Sequence, residues 1–253
     1  MRVVAIIPVR MSSTRFPGKP LVDILGLSMV EHVRVRTQLS SIIDDVIVAT
    51  CDQEIIEEVE RSGGKAVMTS CLHTRCTGRI AEAAENLDAD IIVNVQGDEP
   101  LLYPEMFESL IAPLVEDDQL VCSNMASIIH TDEENIDENI VKVVHNLENN
   151  IIYLSREPIP STRKYQKKGF KRHKQLGLMA FRRDFLLHFT QLQPTPLEII
   201  ESIDMLRALE YGYQIRMVET TSEIVGVDTP EDLKRATILM KNDSLFASYF
   251  EKT

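Results

Sequence analysis

The stretch Val3-Val4-Ala5-Ile6-Ile7-Pro8-Val9-Arg10-Met11-Ser12-Ser13-Thr14-Arg15-Phe16-Pro17-Gly18-Lys19-Pro20-Leu21 changes character after Val9. Residues 3–9 are apolar and mostly β-branched, with no polar alternation. Such a run suits a strand buried on both faces, as in a parallel sheet covered by helices. The loop that follows holds three cations (Arg10, Arg15 and Lys19), the hydroxyls of Ser12, Ser13 and Thr14, and a Pro17-Gly18 turn. In open α/β sheets ligands sit beyond the carboxyl ends of the strands, where this loop begins. Positive charge, backbone donors and an absence of carboxylates are what a triphosphate requires. Neither the P-loop nor the dinucleotide glycine spacing is present. The plainer alternative is a loop of solvated basic side chains.

Outward from that strand the same alternation continues. Helical spacing is expected over residues 29–38, a strand over 46–49, and a helix over 54–61 stopped by Gly63-Gly64. A strand over 65–68, a helix over 79–87, a strand over 91–95 and a helix over 106–115 follow, with another strand beginning at 120–122. The later part reads as strands over 141–145, 151–154, 176–181 and 214–218, with helices over 184–191 and 197–209. The Lys/Arg-rich segment 163–174 reads as a solvated arm or a dimer contact. A closing helix begins at Thr229-Pro230-Glu231-Asp232, where Thr229 caps, Pro230 fits the first turn and Asp232 completes a capping box. The fold class expected is α/β: one domain over 1–253 with a mostly parallel central sheet, flanking helices and a smaller second lobe. It divides into a nucleotide-binding half at 1–130, a lobe at 131–220 and a returning loop with a C-terminal helix at 221–253.

The chain has 253 residues and a formal net charge of −12, which argues against nucleic acid or an anionic membrane surface as partner. A small anionic ligand in a locally basic pocket is still compatible. Four cysteines in a chain this long are no disulfide framework, and reduced thiols are expected, with a metal clip at Cys71, His73 and Cys76 as the alternative. The apolar N-terminal run is too short for a signal peptide and no run of about 18 apolar residues occurs. A soluble cytoplasmic protein without membrane insertion is the expectation.

Two further motifs carry chemistry. Asn94-Val95-Gln96-Gly97-Asp98-Glu99-Pro100 leaves a buried strand through a glycine turn, and a carboxylate at Asp98 beside a cation-lined phosphate site suits a Mg²⁺ ligand. A helix N-terminal charge is the alternative for Asp98 or Glu99. In Gly226-Val227-Asp228-Thr229-Pro230-Glu231-Asp232, capping accounts for everything except Asp228. Brought to the same crevice, Asp228 would complete the metal site.

Together these segments resemble the 3-deoxy-manno-octulosonate cytidylyltransferases, also called CMP-Kdo synthetases. Val48-Ala49-Thr50, the block Tyr153-Leu154-Ser155-Arg156-Glu157-Pro158-Ile159-Pro160, and Leu197-Glu198 with Glu201-Ser202 match in collinear order, so that the resemblance spans nearly the whole chain. It implies a Rossmann-like nucleotidyltransferase that moves CMP from CTP to a 2-keto sugar acid, releasing pyrophosphate, for lipopolysaccharide or other surface polysaccharide. It assigns Arg10, Lys19, Asp98 and Asp228 to catalysis, with Mg²⁺ on Asp98 and Asp228. Nucleotide contacts fall to Pro8, Arg10, Ser13, Arg15, Lys19, Thr69, His73, Arg75, Thr77, Arg79 and Gln96. Acceptor contacts fall to Gln96, Arg156, Gln175, Met179 and Glu201. The family precedent is a homodimer joined through the second lobe.

The sequence departs from the family in three places. Cys51 stands where an Asp is usual. In Thr69-Ser70-Cys71-Leu72-His73-Thr74-Arg75-Cys76-Thr77-Gly78-Arg79, Arg75-Cys76 replaces a Ser-Gly pair and Gly78 an acidic residue, moving local charge two units towards positive. In Lys174-Gln175-Leu176-Gly177-Leu178-Met179, Gln175 and Met179 replace His and Tyr. Another ulosonate or a phosphonate acid as acceptor, or a non-catalytic nucleotide-binding homologue, are the alternatives these changes raise.

Overall fold

A computed structural model describes residues 1–12, 16–164, 169–222 and 224–250. The chain forms two compact units, the first made of Met1–Glu108 with Glu223–Thr253 and the second of Ser109–Ser222.

The first unit is built on strands β1 (Val3–Pro8), β4 (Asp45–Thr50), β5 (Lys65–Met68) and β6 (Ile91–Asn94), with a small hairpin of β2 (Asp23–Ile24) and β3 (Leu27–Ser28). Helices α1 (Met29–Gln38), α2 (Gln53–Arg61) and α3 (Cys76–Ala84) lie between them in sequence, and α4 (Glu105–Glu116) contains the division between the units. The strands run β6-β1-β4-β5, all parallel, with Ile6 opposite both Ile47 and Asn94. Parallel neighbours need crossovers, and helices supply them. Every residue of β1 is buried, as its unbroken apolar run requires. The hairpin was not expected; its turn places Leu25 at φ 56 and Gly26 at φ 97, a left-handed pair with no hydrophobic period to announce it.

The C-terminal helices α9 (Pro230–Lys241) and α10 (Ser244–Phe250) complete this unit; α10 was also unforeseen. Val225, Val227, Ala236 and Met240 are buried with Ile24, Met29 and Leu101 in one cluster. Inside α1, Arg36 is fully buried, donating to Leu102 O at 3.2 Å and to Tyr249 Oη at 3.2 Å and pairing with Asp243. His32 is buried beside it and bonds Ile24 O and Tyr249 Oη, partners that nothing in the sequence announces.

The second unit contains β7 (Cys122–Ile128), α5 (Asp132–Ile136), β8 (Lys142–His145), β9 (Ile151–Ser155), β10 (His173–Arg182), α6 (Arg183–Phe189), α7 (Pro196–Glu201), α8 (Met205–Glu210) and β11 (Ile215–Thr220). β11 pairs parallel to β7, β10 runs antiparallel to β7 and β8, and β8 antiparallel to β9. The one helix expected over 197–209 is two, broken at Ser202, whose φ of 54 is left-handed. Tertiary bonds hold that break: Glu198 pairs with Arg207 across it, and the Glu201 carboxylate accepts from Ser155 Oγ at 2.7 Å and Arg156 N at 2.9 Å. The basic segment expected as an arm runs at its end into β10, which begins at His173. No described helix is long and apolar enough to cross a membrane.

Candidate active site

Three segments of the first unit, far apart in sequence, meet at an open cavity of about 380 Å³. The loop after β1 comes first. Met11 N donates to Asp52 Oδ2 at 2.7 Å, and Gly18 N closes the loop onto Met11 O at 3.2 Å. Gly18 takes φ 72, the left-handed geometry for which glycine is suited, and delivers Lys19 into a short 3-10 turn. The Gly18, Lys19 and Leu21 amides all bond carbonyls inside this loop. The Gly18 amide, at the turn expected to face an anion, is therefore engaged internally.

The second segment follows β6. A Cβ on Gly97 would lie 2.1 Å from Val9 Cγ1 and 3.4 Å from Pro8 O, so only glycine lets this turn press against the exit of β1. The third precedes α9. Val227 N donates to Asp98 O at 2.9 Å, joining the two acidic segments backbone to backbone. Thr229 and Asp232 form the expected capping box, and Asp228 N also donates to Asp232 Oδ2 at 3.1 Å, which sets Asp228 just outside the helix.

The result is a shared ion pair. Lys19 Nζ lies 2.7 Å from Asp98 Oδ2 and 3.0 Å from Asp228 Oδ1, so those oxygens are no farther apart than the sum of the two distances. Lys19 is 9% exposed. Burial would lower its pKa, but the attraction and hydrogen bonds of Asp98 and Asp228 outweigh that and hold it above the ordinary lysine value. Two carboxylates around one ammonium leave a net negative charge in a partly buried crevice, while exposed Arg10 lines the same cavity. Beside Asp98, desolvation and the Asp98 charge push the Glu99 carboxyl up to about 8, although the residue as a whole keeps some exposed surface.

Of the residues expected at the site, Pro8, Arg10, Lys19, His73, Arg75, Gln96, Asp98 and Asp228 line the cavity. Ser13 and Arg15 lie outside the described residues. Thr69, Thr77 and Arg79 are buried instead of lining it, and Arg79 donates to Thr69 Oγ1 and, at 3.6 Å, to Cys51 Sγ. The guanidinium thus meets a thiol at Cys51. Ser12, Thr74 and Cys76 also line the cavity and were not foreseen as contacts; their signal was adjacency to the expected residues. The cysteines are free, Cys71 and Cys76 exposed and Cys122 buried. Among the described residues no group of three or more His, Cys, Asp or Glu side chains is arranged to hold a metal, which leaves the alternative clip at Cys71, His73 and Cys76 without support.

The other expected acceptor residues belong to the second unit. Arg156 donates to Glu201 O and Glu138 O, each at 2.8 Å, and Glu201 also receives the Tyr153 hydroxyl at 3.2 Å. These two residues clamp one another. Gln175 and buried Met179 flank an irregularity in the pairing of β10 with β7. Asn124 Nδ2 donates to Leu176 O at 2.9 Å, which turns its Oδ1 to accept from Gln175 Nε2 at 2.6 Å.

A parallel sheet with a lysine held between two convergent aspartates at the carboxyl ends of its strands defines an α/β protein with a ligand site in that crevice. The cytidylyltransferase family model matches residues 4–221. The chain belongs to that family of nucleotidyltransferase enzymes. It is 46% identical to the 3-deoxy-manno-octulosonate cytidylyltransferase of Geobacter metallireducens, over 93% of this chain and 96% of that one. With the enzyme of the same name from Geotalea uraniireducens it shares 45% identity, over 95% of this chain and 100% of that one. A solved structure of CMP:2-keto-3-deoxy-manno-octonic acid synthetase complexed with CTP superposes with a TM-score of 0.90 at 37% identity, covering 96% of this chain and 99% of that one.

Proposed function

We propose that this enzyme transfers CMP from CTP to 3-deoxy-manno-octulosonate, releasing pyrophosphate and giving an activated sugar for surface polysaccharide. The observation that carries the reading is Lys19 Nζ bound to both Asp98 and Asp228 beside Arg10 in one cavity. The acceptor's anomeric hydroxyl attacks the α-phosphorus; the bond to the β-phosphate breaks, pyrophosphate leaves with its electron pair, and the hydroxyl proton is released. Such a step depends mostly on positioning and charge neutralisation. Arg10 and Lys19 supply fixed positive charge for the triphosphate and the leaving pyrophosphate.

The paired carboxylates fit a hard divalent cation, since both are oxygen donors already converging on a positive charge. Asp98 and Asp228 would hold Mg²⁺, which when bound neutralises phosphate charge and makes the attacking hydroxyl more acidic. Exposed Ile152, Ile199 and Ile200 in the second unit support a homodimer joined through that unit, and the enzyme's place is the cytoplasm. The test is pyrophosphate release measured with each of the four nucleoside triphosphates against a panel of acids. CTP with 3-deoxy-manno-octulosonate should be the productive pair. Release only with another ulosonate or a phosphonate would move the acceptor assignment, and none with any pair would leave a nucleotide-binding homologue.

A further inference from the structure

One cavity wall, His73 to Cys76, belongs to the long connection from β5 into α3, and it must be held by something. Helix α3 reaches back to do so. Glu82 Oε2 accepts both from Ser70 N, at 2.9 Å, and from His73 Nε2, while Leu72 N bonds Ser70 Oγ at 3.1 Å. A carboxylate can only accept, so the imidazole proton sits on Nε2. Gly78, one helical turn before Glu82, supplies the space: a Cβ there would stand 2.8 Å from His73 Nδ1. This seat for the ring therefore depends on the bare Cα of Gly78.

We infer that Glu82 is a positioning residue for nucleotide binding, seating the His73 imidazole against Gly78 and so fixing the wall that faces the nucleotide. This rests on the nucleotide reading above. Partial burial would raise the Glu82 carboxyl, but the Ser70 amide and His73 outweigh it and hold it below the ordinary glutamate value, so it stays an acceptor at neutral pH. Both side chains of the pair keep contact with solvent, and a solvent-exposed pair of that kind adds little to stability. Its consequence is therefore sought in binding and not in folding.

The experiment is a mutant cycle read by KM for CTP, kcat, the thermal midpoint, and the ¹⁵N ring shifts of His73. Glu82→Ala should raise KM about tenfold with kcat within about twofold, the pattern of lost uniform binding. Glu82→Gln, whose carbonyl oxygen can replace Oε2 for both donors, should recover most of the loss. Gly78→Ala should raise KM with Glu82 intact. In a His73→Ala background, Glu82→Ala and Gly78→Ala should have no further effect, because all three act through one ring. The Nε2-protonated ring signal of the wild type should disappear in Glu82→Ala. The proposal is overturned by an unchanged KM in Glu82→Ala, by equal effects with and without His73, or by an unaltered ring signal. A wild type that does not bind CTP would sink the nucleotide reading, while the ring signal would still decide whether Glu82 seats His73.

Discussion

Lys19 does two things that compete. Its ammonium pairs with both Asp98 and Asp228 in the free protein, yet the proposed reaction needs it on the triphosphate and needs those carboxylates for a metal. A divalent ion binding alone must therefore displace a buried, paired cation. Lys19→Met should bind Mn²⁺ more tightly than wild type when titrated without nucleotide, while losing turnover; a metal affinity equal to or below wild type would contradict the competition. Asp98→Asn and Asp228→Asn should keep the wild-type circular dichroism and lose turnover by about 10² or more, the scale on which removing one charge-stabilising group is felt. Near-normal turnover in either would refute the metal assignment. Gly97 belongs to this scale too. Gly97→Ala drives a methyl into Val9, and overpacking of this kind costs about 1–3 kcal/mol, to be read from the urea midpoint.

Between elements, the decisive pairing is α1 with α10. The carbonyl of Ile24 can only accept, so His32 Nε2 donates to it at 2.6 Å and Nδ1 accepts the Tyr249 hydroxyl at 2.7 Å. Desolvation, with the nearby Arg36 charge, pushes His32 down to about 4, against the pull of the Ile24 carbonyl. The unfolded chain takes up this proton near pH 6.5, so between the two values it binds more protons than the folded state. Stability from this group is thus complete above pH 6.5 and is lost as the pH falls towards 4. His32 should cost about 2 kcal/mol between pH 7 and pH 5, seen in urea midpoints, and His32→Gln should lose less over that interval. A variant with the full wild-type slope would assign it to other groups.

For the whole molecule, the first unit is discontinuous: its parallel sheet is complete by β6, but one of its hydrophobic clusters is completed, and its second aspartate arrives, only after residue 222. Val225, Val227, Ala236 and Met240 together bury side chains worth on the order of 6 kcal/mol, comparable to the entire stability of a small domain. A chain ending at Ser222 should lose cooperative unfolding of the first unit and fail to bind CTP in a calorimeter. Cooperative unfolding with retained CTP binding would show that the returning segment is dispensable.

The sequence by itself determined the α/β class, the order of most strands and helices, the capping box at Thr229 and the three segments that meet at the cavity, because buried parallel strands and helix caps are local patterns. Long-range contact decided the rest. The split at Ser202 is held by Arg156, Arg207 and Ser155, and the seating of His73 on Glu82 needs the space left at Gly78. Burial of Thr69, Thr77 and Arg79 behind the cavity follows from how α3 packs. Even the convergence of Asp98 and Asp228, which spacing could only suggest, depends on a glycine pressed against Val9 and one backbone bond from Val227. Residues far apart in a chain acquire a common ligand only where packing brings their backbones together, and no local pattern encodes that distance.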